Sequence, residues 1–228
     1  MEQGFFITGT DTGVGKTLVA SALLHAYSAT GKKGVGMKPV AAGCLIVGSQ
    51  LRCEDVEALQ AASTVQAPLS LINPYAFAAP VAPHIAAAQA GVVIDLEHIH
   101  AALLSLGELA QIVIVEGVGG FKVPLNARED SADLAVKLKL PVILVVGMRL
   151  GCLNHALLTQ AAIAASGLPL AGWVANCIDP AMQLFTENLQ ALQERLDGPL
   201  LGVLPWQANP RAQIVAPLSE TSRDSASR

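Results

Sequence analysis

The chain has 228 residues, 52% of them hydrophobic and 14% charged, with a net charge of −4 and only 4% aromatics. That balance suits a sheet covered on both faces in one large α/β domain. It argues against a nucleic-acid surface or a base-stacking platform, because no basic cluster stands beyond Lys32-Lys33. No apolar run is long enough to span a bilayer, and no basic-then-apolar leader opens the chain. Cys44, Cys53, Cys152 and Cys177 are scattered without a C-x-x-C. They read as reduced thiols of a cytoplasmic protein rather than a disulfide frame or zinc site.

The first predicted strand covers residues 4–8 and runs into Gly9-Thr10-Asp11-Thr12-Gly13-Val14-Gly15-Lys16-Thr17. A helix over 16–30 follows, with Leu18, Val19, Ala22, Leu23 and Ala26 at three- and four-residue spacing and Gly31 placed to end it. Strand, glycine-rich turn, Gly-Lys-Thr and helix make a phosphate-binding loop. Small residues let backbone N–H groups converge on an anion, and the helix adds its positive end. Lys16 would then reach the β- and γ-phosphates, and the Thr17 hydroxyl would ligate Mg²⁺. Five residues rather than four separate Gly9 from Gly15, and Thr10 stands where a glycine is usual.

Residues 35–40 form the next predicted strand, closed by Pro39, with Lys38 at its carboxyl end, where ligands bind in open α/β sheets. Position alone leaves Lys38 open between a ligand contact and a solvated lysine. The helix predicted over 54–62 begins with Glu54 and Asp55. Acids favour helix starts anyway, so a metal role for Asp55 also stays open. A proline-punctuated loop over 73–84 precedes helices over 85–90 and 96–106. After Gln111, residues 112–115 are an unbroken Ile/Val run, a buried parallel strand, with Glu116 at its tip and Gly117-Val118-Gly119-Gly120 beyond. An acid there resembles the second metal-binding element of phosphate-loop enzymes. Helices over 132–138, 153–165 and 181–196 then alternate with strands over 141–147, 170–176 and 199–204. The prediction is a doubly wound, mainly parallel sheet with helices on both faces, of P-loop NTPase type. It forms one domain over 1–217, followed by a disordered tail over 218–228.

Several blocks together resemble the dethiobiotin synthetases. They are Thr8-Gly9-Thr10-Asp11-Thr12 with Val14-Gly15-Lys16-Thr17, Lys38-Pro39-Val40, Asn73-Pro74-Tyr75, and Pro83-His84. Further along come Val115-Glu116-Gly117 with Gly119-Gly120, Leu150-Gly151-Cys152 with Asn154-His155-Ala156, Gly172-Trp173-Val174-Ala175-Asn176, and Gly202 with Pro205-Trp206. The resemblance implies ATP-dependent carboxylation and ring closure of 7,8-diaminopelargonate with CO₂, through a carbamate and a carbamic–phosphoric anhydride, to dethiobiotin, ADP and phosphate.

In that family's pattern Lys16, Lys38 and Thr12 would act on the reacting groups, and Thr17, Asp55 and Glu116 would hold Mg²⁺. The nucleotide would lie against Gly13, Val14, Gly15, Leu18, Gly117, Val118 and Gly119. Asn176, Cys177, Pro205, Trp206 and Gln207 would stand beside the purine. The diamine would meet Ala42 and dock its carboxylate at Gly151, Cys152, Leu153 and Asn154 of a second subunit, which implies a homodimer. Departures are Ala42 for a hydroxyl residue, Gly13 for a larger one, Val118 for alanine, and an unusually apolar stretch over 44–53. The alternatives are a partitioning- or septum-site-type nucleotide switch, a cobyrinate amidase-type synthetase, or a non-catalytic relative. The switch needs a second loop lysine where this chain has Asp11, and the amidase type needs a further domain.

Overall fold

Runs such as Ile112-Val113-Ile114-Val115 and Val142-Ile143-Leu144-Val145-Val146 carry no polar residue on either face, so both faces must be covered. The computed structural model, which describes residues 1–206, covers them with helices. The chain begins β1 (Gln3–Gly9), α1 (Lys16–Ala29), β2 (Gly34–Met37), β3 (Val40–Ala42), β4 (Leu45–Val47), β5 (Gln50–Arg52), α2 (Glu54–Ala62), α3 (Leu69–Ile72) and β6 (Tyr75–Phe77). It continues α4 (Pro83–Gln89), α5 (Leu96–Leu109), β7 (Ile112–Glu116), α6 (Ser131–Leu138), β8 (Val142–Met148), α7 (Cys152–Ala165), β9 (Leu170–Cys177), α8 (Phe185–Gln193) and β10 (Leu200–Leu204).

The main sheet has the order β10-β9-β8-β1-β7-β2, and every pairing in it is parallel. Alternation along β1 sorts the two faces. Phe5 and Ile7 point toward α1 and α2, packing with Val19, Leu23, Leu24 and Leu59. Phe6 points the other way, into the layer of α5 and α6 with Leu103, Leu106 and Leu134. Trp173 and Leu144 face α7 and α8. The helix that leaves β1, α1, covers one face and the helix that leaves β7, α6, covers the other, so the crevice of the fold opens at the carboxyl ends of these two neighbouring strands.

The doubly wound parallel sheet is as expected, and corrections fall on short segments. The strand expected over 35–40 ends at Met37, and Val40–Ala42 leaves the sheet to pair in parallel with β6. Pro39 has no N–H to give a ladder, but its carbonyl accepts from Tyr75 N at 3.1 Å and so starts the second one. The apolar stretch over 44–53 is a hairpin, β4 against β5, turning through Gly48 at φ +62°. The helix expected over 85–90 starts earlier, with Pro83 in its first turn. The one expected over 181–196 is trimmed to α8, because Leu184 adopts the left-handed region at φ 53°. Residues 207–228, which include Gln207 and the expected tail, lie outside the described residues.

Candidate active site

The loop after β1 is shaped by one close approach. Gly15, which begins α1 at φ +90°, lies so near Asn176 that an added Cβ would sit 2.2 Å from Nδ2. Only glycine fits there on both counts. Asn176, at the end of β9, donates from Nδ2 to Val14 O at 2.8 Å. It thereby straps the loop to the sheet. Lys16 folds back over the loop and donates to Asp11 O at 3.0 Å. Asp11 caps Thr12 N at 2.7 Å and pairs with Arg149 at 2.8 Å, which ties the loop to the segment between β8 and α7.

Beside it, register brings a second group together. Met37 of β2 lies opposite Val115 of β7, so the next residue of each, Lys38 and Glu116, emerge side by side at the carboxyl edge. Lys38 Nζ is 2.5 Å from Glu116 Oε1 and 2.8 Å from Asp55 Oδ2 in the first turn of α2. Thr17 Oγ1 lies 2.8 Å from Asp55 Oδ1 and 2.9 Å from Glu116 Oε1. A hydroxyl has one proton, so it donates to one carboxylate at a time and meets the other lone pair to lone pair. Glu116 Oε2 is buried with no partner among the described residues. Hard oxygens short of protons, converging from Thr17, Asp55 and Glu116, are a donor set that fits Mg²⁺.

Charge and burial oppose each other here. Burial pulls the Lys38 ammonium down, but Glu116 and Asp55 outweigh it and hold Lys38 raised and charged. Burial likewise pushes Asp55 up, and Lys38 reverses this to hold it low. Glu116 stays raised, through burial and the nearby Asp55 charge, despite Lys38. Lys16 is pushed down to about 8 by burial and by repulsion from Lys38.

These groups line one cavity of about 300 Å³, with Thr12, Gly13, Gly15, Ala42, Val118 and Gly119. It also takes in Ala41 and Cys53, which the sequence did not single out. Val14 turns its side chain into the core, and Gly117 is pressed to 3.0 Å of the Phe6 ring for an added Cβ. Both can therefore offer only backbone. Leu18 packs against the core beneath the loop. Asn176 and Cys177 close β9, and Pro205 and Trp206 follow β10. Gly151, Cys152, Leu153 and Asn154 begin α7 and do not line this cavity. Cys152 is buried and its N–H already donates to Arg149 O at 3.0 Å, which leaves the Leu153 and Asn154 amides of that turn without an acceptor among the described residues.

The family model described as an AAA domain matches residues 3–213. In fold, the chain is similar to the MinD cell division protein of Aquifex aeolicus, with a TM-score of 0.54 at 14% identity, covering 89% of this chain and 82% of that one. In sequence it is similar to a protein of Nitrosospira multiformis named ATP-dependent dethiobiotin synthetase BioD, with 58% identity over 98% of this chain and 97% of the relative. A protein of the same name from Aromatoleum aromaticum is also 58% identical, over 95% and 96%. Identity of that order across almost the whole length is far beyond what a shared P-loop scaffold demands, and the chain belongs to the ATP-dependent dethiobiotin synthetase family.

Proposed function

We propose that this chain carboxylates 7,8-diaminopelargonate and closes the ring of dethiobiotin, converting ATP to ADP and phosphate. One amine adds to CO₂ and loses a proton, giving a carbamate. A carbamate oxygen attacks the γ-phosphorus, ADP leaves, and a carbamic–phosphoric anhydride remains. The second amine attacks the carbonyl and gives up a proton, phosphate departs with the bonding pair of the broken C–O bond, and the five-membered ring closes. That last attack is intramolecular, so positioning supplies most of the acceleration and no covalent nucleophile is needed.

The obstacle is charge, because one anion must approach a triphosphate. Lys16 and Lys38 supply positive charge at the transferring phosphoryl group. Thr17, Asp55 and Glu116 would hold Mg²⁺, which supplies further neutralisation at the β- and γ-phosphates. The backbone around Gly13, Val14, Gly15 and Leu18 cradles the phosphates, and Gly117, Val118 and Gly119 approach the nucleotide from the opposite wall. Thr12 donates to the carbamate. Asn176, Cys177, Pro205, Trp206 and Gln207 flank the purine. Ala42 offers the diamine an apolar contact where a hydroxyl would have bonded it. The diamine's carboxylate docks at the start of α7, at Gly151, Cys152, Leu153 and Asn154 of a second copy, in a homodimer that works in the cytoplasm.

The observation that carries this reading is the convergence of Lys16, Thr17, Lys38, Asp55 and Glu116 on one cavity, in a chain 58% identical to a relative named for the activity. Purified protein with ATP, Mg²⁺, bicarbonate and the diamine is expected to release dethiobiotin and phosphate in equal amounts. Phosphate without dethiobiotin would mark a nucleotide switch, and neither product would mark a non-catalytic relative.

A further inference from the structure

The hairpin of β4 and β5 sets two thiols against each other at the rim of the active-site cavity. Its ladder pairs Val47 with Gln50, Ile46 with Leu51 and Leu45 with Arg52. One step further down the same ladder, Cys44 falls opposite Cys53. The turn is two residues, Gly48 and Ser49, with the positive φ at the first, as a tight hairpin turn requires. Counting back from that turn, hydrogen-bonded and open pairs alternate, so one step past the last ladder pair the 44–53 position takes the place of an open pair, for which Cα atoms stand about 4.5 Å apart in a regular ladder. That separation lies inside the range a disulfide spans.

The side chains are neighbours as well. Burial, and then the adjacent Cys53 thiol, push the Cys44 thiol up to about 11. Cys44 is buried and its N–H is anchored to Phe77 O at 2.9 Å, whereas Cys53 is half-buried and lines the cavity.

We propose that Cys44 and Cys53 are a reversible oxidation site, closed to a disulfide by small-molecule disulfides such as oxidised glutathione. The more accessible Cys53 sulfur attacks the reagent and releases one glutathione thiol, leaving a mixed disulfide. The Cys44 sulfur then displaces the second glutathione. Two protein thiols lose two protons and two electrons, and one reagent disulfide becomes two thiols. The site is indifferent to the identity of the reaction catalysed alongside it. Scattered spacing in the sequence gave no hint of the pair, because nine positions separate two residues that only the hairpin makes opposite.

The test uses the full native chain equilibrated with reduced and oxidised glutathione, quenched by alkylation and digested with trypsin without reductant. Cleavage after Arg52 separates the two cysteines, so an internal bond holds two peptides together. The expected result is that linked pair, a loss of two hydrogens from the intact mass, and full reversal by dithiothreitol. In Cys44→Ala the reaction is expected to stop with one glutathione on Cys53. Persistent glutathione on Cys53 of the unaltered chain, or a link that forms only in urea, would overturn the proposal.

Discussion

Lys38 is held at rest by the same carboxylates that are proposed to hold the metal. Its ammonium sits against Asp55 and Glu116, and Glu116 is deeply buried. Removing one partner of a buried pair leaves the other uncompensated. Lys38→Met should therefore lower stability by about 3 kcal/mol, with Glu116 recovering part of the loss by taking up a proton. The same variant should respond more strongly to Mg²⁺ than the parent, because no ammonium has to be displaced first. Urea midpoints with and without Mg²⁺ check both, and an equal response in the two proteins would show that Lys38 and the ion do not compete. Turnover should be lost in the variant while ATP still binds.

Lys16 supplies a pH dependence of definite sign. Its pKa lies at about 8 in the folded chain, below the ordinary lysine value, so the unfolded chain binds more protons between the two. This group's contribution to stability therefore rises with pH above about 8 and is lost as pH falls through that value. Phosphate oxygens beside the ammonium act in the opposite sense and restore the proton. ATP affinity should be full below pH 8 and about tenfold weaker one unit above it, with proton uptake on binding. Calorimetry in buffers of differing ionisation enthalpy measures that uptake directly. A flat affinity from pH 7 to 9 would show that Lys16 keeps its proton unaided.

At the scale of elements, α2 is where site geometry meets fold. β2 is an edge strand, and the two residues that follow α2 cover its rim, with Gly36 N donating to Ser63 Oγ at 3.0 Å and Gly34 N to Thr64 Oγ1 at 2.8 Å. The approach is close enough that an added Cβ on Gly36 would lie 2.8 Å from Leu59 Cβ. This contact is what brings Asp55 within reach of Lys38. Gly36→Ala should cost about 1–3 kcal/mol by overpacking and weaken MgATP binding as α2 shifts outward. In a double-mutant cycle, Leu59→Ala, which removes the Cδ2 that would lie 3.0 Å from the same added Cβ, should be less harmful in the Gly36→Ala background than alone. Simple additivity would show that the two do not meet.

The same scale shows what was legible in advance. The long apolar strands announced themselves, because four or five consecutive Ile, Val and Leu residues admit few environments, and Gly-Lys-Thr after a strand marked the loop. The three-residue strands β3 to β6 and the single turn of α3 are too short for any period to show. Gly48-Ser49 between Leu-Ile-Val and Gln-Leu-Arg is the one local signal for the hairpin, and three-residue flanks are too short to give it a strand period. The ligand roles of Lys38 and Asp55 were open in position alone. What joined them was strand register and the close packing of α2, both tertiary facts.

At the scale of the whole molecule, α7 is short of cover. Only Cys152, Ala156 and Ile163 of its 14 residues are buried. Leu158 is 63% exposed, and Leu150, just before the helix, is 95% exposed. Leaving such side chains in water forgoes about 1.5–3 kcal/mol each, so a partner surface is favoured. Asn154, Leu158, Ala161 and Ala165 recur at three- and four-residue spacing and are all exposed, which places them on one face. The residue proposed to bind the diamine carboxylate thus shares its face with the most exposed leucine of α7 itself. If a second copy covers Leu158, it also receives Asn154, and each active site is completed by the other chain.

Leu158→Arg separates these roles from nucleotide binding. The charge cannot be buried against its symmetry mate, so the variant should sediment as a monomer. Its cavity at the carboxyl end of β1 is untouched, and ATP binding should match the parent. The KM for the diamine should rise by about tenfold or more, the value of a lost charge-assisted hydrogen bond, because the docking turn of α7 is no longer supplied. A monomeric variant with an unchanged diamine KM would place the carboxylate within a single chain, and α7 would then have to be covered for stability alone.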